Sequence, residues 1–416
     1  MIILLMVFGI PFFVTHRIIP AILRSTIPIY KIPYALPYLG DKSMRYQFLR
    51  FWNHLPPNNS RSKEVVESLH QQTYFPMSDI SYDVWNCPFE PPLGYPNSWP
   101  ASDLIENWPI NKSSPRDFNI YQSICRFDYE TELDKILNYR SKEIPFVVRG
   151  DPNVARTVER WHLPKYVDRL LGTTKHWTEV SNQSHFLYWS YPKSHKKRSE
   201  KSPMNAGMRR LLPQGWIPPT HRIKMTYQEW LRLVNRTIHQ DDILQNSQYY
   251  YYQIVGCGNA TKCYEGSAEF LFDELPFFQP NKDQLYLVKP GKHRGINCRF
   301  GFPSLSLAAH FDTSRNSIVM LSGSRRFILA HPKECSNLAL YPKNHPSARH
   351  SSLNWDGSQD IPAHIHEVVL QAGDVLYLPP HWFHMIVSLD MNIQCNIRSG
   401  YNSKYAHYIR ECGQTP

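Results

Sequence analysis

The chain has 416 residues, enough to bury a substantial core as one large domain or two small ones. Its hydrophobic content of 42% and aromatic content of 13% describe a folded protein rather than a polar, unstructured one, and 34 prolines against 18 glycines point to many rigid loops. A net charge of +11 permits contact with nucleic acid or an anionic membrane but requires neither.

In chain order, the first feature is an apolar start. Ile2 to Thr15 is almost wholly apolar, His16 and Arg17 interrupt, and Ile18 to Leu23 resumes. This reads as a signal peptide or a membrane anchor through residues 2–23, although Pro11 and Pro20 weaken a straight helix. A buried first helix is the alternative. Two features point to the secretory pathway, in the lumen or at the membrane of the endoplasmic reticulum or Golgi. Asn-x-Ser/Thr triplets occur at Asn58, Asn111, Asn182, Asn235 and Asn259, and there are eight cysteines, an even number. Cys257 and Cys263 could close a small loop. One feature points to the cytoplasm: Arg17, Arg24 and Lys31 follow the apolar stretch and no cation precedes it. No C-x-x-C pair occurs, which argues against a structural zinc knuckle.

Residues 25–120 are rich in Pro, Asn and Trp, with a helix expected only at Lys63 to Gln72; the segment is a stalk or an irregular wrap. Patterned structure begins with an amphipathic helix over Asp128 to Asn138, its apolar positions Leu133, Ile136 and Leu137. Glu143 to Gly150 reads as a strand, and Trp161 to Leu171 as a short helix that Gly172 terminates. Lys193 to Arg198 is a charge run, read as a solvated loop in preference to a nuclear-import signal. Thr226 and Glu229 form a capping box that starts a helix. Tyr249 to Val255 is strand-like, and Phe270 to Phe278 supplies aromatic core. From Leu285 onward short strands alternate with turns, as in a β-sandwich or barrel. Residues 1–24, 25–120 and 121–416 are thus the expected segments, with core strands over 285–400.

The chemistry is concentrated in the last of these. His310 and Asp312 lie two apart in apolar sequence, so on a strand both side chains reach one face. A second apolar strand, Asp374 to Leu378, ends in Pro379, Pro380, His381, Trp382, Phe383 and His384. Two histidines and one carboxylate with open positions make a site suited to non-haem Fe(II). A second H-x-D, His239-Gln240-Asp241, lies in polar sequence past a helix and is not expected to bind metal. The competing interpretation of His310 and Asp312 is a buried hydrogen-bonded pair.

H-F-D at 310–312, L-S-G-S-R-R-F at 321–327, A-G-D-V-L-Y-L-P-P-H-W-F-H at 372–384 and N-I-Q-C-N-I-R at 392–398 resemble the JmjC, or cupin-like, branch of the 2-oxoglutarate-dependent dioxygenases. The resemblance implies a mainly β fold with flanking helices around a double-stranded β-helix of the cupin or jelly-roll type. It also implies Fe(II) as cofactor and 2-oxoglutarate as cosubstrate. It selects His310, Asp312 and His384 as metal ligands, leaving His381 as a loop residue near the mouth. It implies Arg325 as the cation for the cosubstrate's far carboxylate, with Arg326 on the opposite face as the alternative if the register is shifted. Asn316, Asn396 and Tyr251 fall where the family places polar groups beside the cosubstrate. His364 and His366 read as exposed loop histidines before the strand. One departure is Leu307, where many members carry Thr or Ser. The expected activity is hydroxylation of a protein side chain. Rivals are lysine or arginine demethylation, a non-catalytic cupin-like scaffold of the secretory pathway, and a small-molecule-binding cupin with a structural metal. No nucleic-acid-binding module is evident.

Overall fold

The computed structural model describes residues 82–112, 121–190, 215–239, 248–257, 267–280 and 284–416. The apolar start, the helix expected at Lys63 to Gln72, the charge run at Lys193 to Arg198, the Cys257–Cys263 loop and Asp241 of the second H-x-D lie wholly or partly outside these residues. No helix among the described residues is long and apolar enough to cross a membrane.

The described elements are β1 (Trp99–Pro100), α1 (Ala101–Asn107), β2 (Arg126–Asp128), α2 (Leu133–Ser141), β3 (Phe146–Arg149), α3 (Pro152–Trp161), α4 (Tyr166–Leu171), β4 (His176–Ser181), β5 (His185–Phe186) and β6 (His221–Met225). There follow α5 (Tyr227–His239), β7 (Tyr249–Gly256), α6 (Leu271–Glu274), β8 (His293–Gly301), β9 (Ser306–Phe311), β10 (Arg315–Ser322) and β11 (Ser324–Ala330). The last are β12 (His364–Gln371), β13 (Val375–Leu378), β14 (Phe383–Ser388), β15 (Asn392–Ser399) and α7 (Ala406–Glu411).

From β8 onward the chain crosses back and forth between two sheets. β8, β10, β13 and β15 lie in one, and β9, β11, β12 and β14 in the other. The antiparallel pairing is palindromic: β8 with β15, β9 with β14, β10 with β13, β11 with β12. The chain therefore winds inward, reverses between β11 and β12, and winds back, which is the double-stranded β-helix. The flanking strands widen the sheets to orders β2-β3-β13-β10-β15-β8-β7-β4-β6 and β1-β12-β11-β14-β9-β5.

The side-chain period of two explains why the central strands read as nearly continuous apolar runs. Ile318 and Met320 of β10 face Phe327, Leu329, Leu376 and Leu378 between the sheets. Val319 and Leu321 face outward, into the core shared with Trp230 and Val234 of α5 and Val154 of α3. Both faces of the strand are covered, so neither alternate set is polar. Between β10 and β11 the turn runs through Gly323 at φ +66°, and a Cβ there would stand 2.2 Å from the Asp390 carboxylate and 2.4 Å from the Met391 carbonyl. Only glycine fits that approach.

Local signals account for most helix ends. Thr226 and Glu229 form the expected capping box: the Thr226 N–H donates to Glu229 Oε2 at 2.7 Å, and the Glu229 N–H to Thr226 Oγ1 at 3.2 Å. Two expectations need correction. The helix expected from Asp128 begins at Leu133, because the Asp128 carboxylate accepts from the N–H groups of Glu130 and Thr131 and holds a turn there. Of its apolar positions, Ile136 is buried while Leu133 and Leu137 are exposed. The helix expected over Trp161 to Leu171 starts only at Tyr166, as α4; α3, with Asp151 as N-cap and Pro152 in its first turn, ends at Trp161, and Pro164 separates the two. His366 is a third correction. It is buried within β12, its Nδ1 bonded to the Asn97 carbonyl at 2.6 Å, while His364 at the strand's edge is exposed.

The described part of the Pro-rich segment wraps the core. Trp99–Pro100 extends the smaller sheet beside β12, and a Cys87–Cys125 disulfide ties the segment to β2. A second anchor is a fully buried ion pair between Arg326 Nε and Glu367 Oε1. Arg326 also donates to the Trp108 carbonyl at 2.6 Å and lies 4.2 Å over the Trp108 ring; Glu367 accepts from the Tyr121 N–H at 2.7 Å. Two more disulfides, Cys298–Cys395 and Cys335–Cys412, link β8 to β15 and the turn after β11 to the carboxyl end.

Two outcomes follow for stability. Glu367→Gln strands the Arg326 charge in the interior and should cost about 3–5 kcal/mol in the urea-unfolding free energy; the double change Arg326→Met with Glu367→Leu should recover most of it. Burial pushes the His366 imidazole down to about 4 and that of His331 down to about 3. Both rings are neutral in the fold but take a proton when unfolded, so their stabilisation is full above pH 6.5 and is lost as pH falls toward 4. The slope should approach about 1.4 kcal/mol per pH unit for each, and His366→Asn should flatten it in urea titrations between pH 6.5 and 4.5.

Candidate metal centre and its cavity

His310 of β9 and His384 of β14 are direct cross-strand partners, with ring centroids 4.2 Å apart. Asp312 follows His310 by two residues, so its carboxylate returns to the same side. One donor atom from each of the three residues lies within 4.8 Å of the others. The orientation of each ring is set by backbone: His310 Nδ1 bonds the Ala308 carbonyl at 2.8 Å and His384 Nδ1 the Trp382 carbonyl at 3.2 Å. That leaves Nε2 of each as the ligating atom, the arrangement seen where imidazoles hold metals.

The electrostatics suit a divalent ion. Burial, and then the neighbouring His384 and His350, push His310 well below its ordinary range; burial also lowers His384. Both rings are therefore neutral, as nitrogen ligation requires. Burial alone would raise Asp312, but the charge of Arg398 outweighs it and holds the carboxyl well below the usual range. Arg398 Nη1 donates to Asp312 Oδ1 at 2.6 Å, leaving the second oxygen. Two imidazoles and one carboxylate, with an open cavity beside them, fit Fe(II).

The cavity holds about 510 Å³ between the sheets. It brings the triad together with three of the polar residues named from the sequence, Tyr251, Asn316 and Asn396, and Asn396 Nδ2 donates to Asn316 Oδ1 at 2.8 Å. Arg325 behaves differently. Register pairs Leu329 with His384, so Arg325 is on the inward face and Arg326 on the outward one. Arg325 nonetheless sits behind the cavity wall, with Nε donating to Asn392 Oδ1 at 2.6 Å and Nη1 to Gln394 Oε1 at 2.8 Å and the Tyr251 hydroxyl at 3.3 Å. Among the guanidinium groups that do line the cavity is that of Arg299 of β8, cross-strand from Gln394, whose buried Nη1 has no partner among the described residues. Leu307 lines the cavity too, opposite Ile386.

His381 is a turn residue, as expected, but it is fully buried and not among the residues lining the cavity, at φ +72° after the two prolines. Its N–H donates to the Asp312 carbonyl at 2.7 Å and its ring packs on Phe311 and Tyr401, so it braces the strand end that carries Asp312.

Arg299, Arg398 and His350 are site residues that the sequence reading missed. Asn297-x-Arg299 and Asn396-x-Arg398 carry the same two-residue spacing that marks His310 and Asp312, and that spacing could have found them. His350 has no such signal. It arrives on the long connection after β11 and stacks on His310 at 4.9 Å.

Comparison with known proteins agrees with this architecture. A model of the cupin-like domain matches residues 134–398. The chain is 30% identical over 118 residues to tRNA wybutosine-synthesizing protein 5 of Mus musculus, covering 28% of this chain and 36% of that protein. It is 26% identical over 112 residues to Lysine-specific demethylase JMJ31 of Arabidopsis thaliana, covering 24% and 20%. It is 32% identical over 87 residues to Jumonji C domain-containing protein 5 of Drosophila melanogaster, covering 19% and 21%. The matched stretches thus span between about a fifth and about a third of these relatives. With most of its length matched by that one domain model, and with the palindromic strand order on which the domain is built, this chain belongs to the cupin-like domain family.

Proposed function

We propose that the protein is an Fe(II)- and 2-oxoglutarate-dependent oxygenase that hydroxylates a side chain of a protein substrate. The reading is carried by the convergence of His310, Asp312 and His384 at the edge of an open cavity. Bound there, iron with a 2-oxo acid supplies the capacity to reduce dioxygen and oxidise a C–H bond, with decarboxylation of the acid to succinate. The two imidazoles contribute neutral nitrogen and Asp312 a charge, which leaves the ion electrophilic. The Tyr251 hydroxyl and the Asn316 and Asn396 amides, which line the cavity, would orient the cosubstrate, and Arg299 would receive its far carboxylate, with Arg325 bracing Tyr251 from behind. Leu307, Ile318 and Ile386 give the cavity an apolar side that limits water. The missing hydroxyl at Leu307 removes one donor, worth about 1 kcal/mol; a charge-assisted bond from Arg299 is of a size to offset it.

Three disulfides support a place in a disulfide-forming compartment, for which we propose the secretory lumen. One observation favours a second reading, a non-catalytic, anion-binding cupin-like protein: Arg398 engages one oxygen of Asp312. Demethylation begins with the same C–H oxidation, but a methylated lysine or arginine would carry positive charge into a cavity already lined by cations.

Purified protein with Fe(II) and 2-oxoglutarate under anaerobic conditions should develop the visible charge-transfer band of a chelated 2-oxo acid. Asp312→Ala should abolish it. Arg299→Ala should raise the 2-oxoglutarate concentration at half-saturation by about tenfold or more, the loss of one bond from a charged donor. A folded wild-type sample with no band would overturn the oxygenase reading in favour of the anion-binding one. Alkylation without reductant, followed by mass mapping, should leave Cys87, Cys125, Cys298, Cys335, Cys395 and Cys412 unmodified in protein secreted by a eukaryotic host; labelling of the native protein at those six would remove the lumenal assignment.

A further inference from the structure

The charges around the cavity do not balance. Two carboxylates line it and each already has a cation: Asp312 has Arg398 at 2.6 Å, and Glu179 has Arg222 at 2.8 Å. Five more cations line it without a carboxylate partner among the described residues, namely Lys175, Lys224, Arg294, Arg299 and Arg349. Fe(II) and 2-oxoglutarate carry equal and opposite formal charge, so on the oxygenase reading, on which this inference rests, loading the site leaves the excess in place. Arg299 can serve the cosubstrate. Lys224 lies 5.2 Å over the exposed Trp177 ring. Arg294 and Arg349 have no such contact among the described residues; both line the cavity with Asp312 and Arg398, and the Arg349 carbonyl accepts from the N–H of Phe311, the residue before Asp312, at 3.4 Å. Like charges gathered beside a partly dry site repel one another unless an anion joins them.

We propose that the primary substrate is an acidic peptide segment, and that a glutamate or aspartate side chain enters the cavity between Arg294 and Arg349. The two guanidinium forks match a carboxylate in geometry as well as charge. The side chain they hold then lies beside the metal centre, which sets the site of hydroxylation at or next to that acidic residue. A cavity of about 510 Å³ admits one such side chain next to a five-carbon diacid. The cations converge on that one cavity instead of tracking a line of phosphates, which favours a peptide over a nucleic-acid strand.

The test uses fluorescein-labelled decamers of glutamate, lysine and alternating glycine-serine. Binding to protein loaded with Fe(II) and 2-oxoglutarate without oxygen is followed by anisotropy, with the charge-transfer band recorded on the same samples. The glutamate decamer should bind at least tenfold more tightly than the uncharged one, weaken with added salt, and leave the lysine decamer without measurable affinity. Arg294→Ala with Arg349→Ala should lose at least tenfold for glutamate. Arg294→Glu with Arg349→Glu should reverse the preference toward lysine, a gain that misfolding cannot produce. Equal affinity for the three decamers, or undiminished glutamate binding by the alanine pair, would overturn the proposal. So would a single-stranded RNA dodecamer that displaces the glutamate decamer and depends on the same two arginines. A band without charge preference removes this inference alone; charge preference without a band removes the oxygenase reading and keeps the anion receptor.

Discussion

The register between β9 and β14 is the constraint on which the site depends. It places His310 opposite His384 and, by the two-residue period, returns Asp312 to the same side. A slip of one residue would turn either imidazole into the outer apolar layer, where Phe311 and Phe383 now meet at 5.3 Å. That layer is what prevents the slip. Phe311, Phe383, Met385 and Val387 are buried against Leu104, Ile365 and Ile409, so a shifted strand would exchange apolar contacts for buried imidazoles.

The same logic extends outward from those two strands. β14 is held on its other edge by β11, and β11 by β12, where Arg326 and Glu367 form their buried pair. A buried ion pair is weak evidence for net stability, since its desolvation is costly. Its geometry here is specific, because Arg326 also binds the carbonyls of Leu104 and Trp108, and Glu367 the Tyr121 N–H. The pair therefore aligns the amino-terminal wrap on the sheet that carries both histidines. On the facing sheet, the Cys298–Cys395 disulfide joins direct cross-strand partners and fixes the row that presents Asn297, Arg299, Asn396 and Arg398.

Desolvation and fixed charge divide the work inside the cavity. Burial keeps the histidines neutral, while Arg398 keeps Asp312 ionised against the opposing effect of the same burial. A ligand set of that protonation needs no proton release from the imidazoles to take up a divalent ion. The surplus of cations around it makes the cavity selective for negative charge before any ligand shape is considered.

How much of this was legible in the chain depends on whether the signal was local. Period-two spacing was enough to bring His310 and Asp312 to one face, and the motif around His384 named the third candidate ligand; Thr226 and Glu229 likewise carried their helix start in four residues. The break between α3 and α4 was also written locally, in Pro164, and the longer helix pattern obscured it. Other features had no local signature. That Arg325 faces inward follows from alternation, but that Asn392, Gln394 and Tyr251 occupy it is settled by β15 and β7, whose positions only pairing determines. Arg299 and Arg349 come from strands and turns far apart in sequence, and His381 is buried because the carboxyl-terminal segment with Tyr401 closes over it. The sequence by itself determined the fold class, through motifs that resemble the cupin-like family, and it placed His310 and Asp312 on one face, because that pairing rests on spacing within a single strand. The tertiary structure alone decided which cations face the cavity, because that depends on which strands become neighbours.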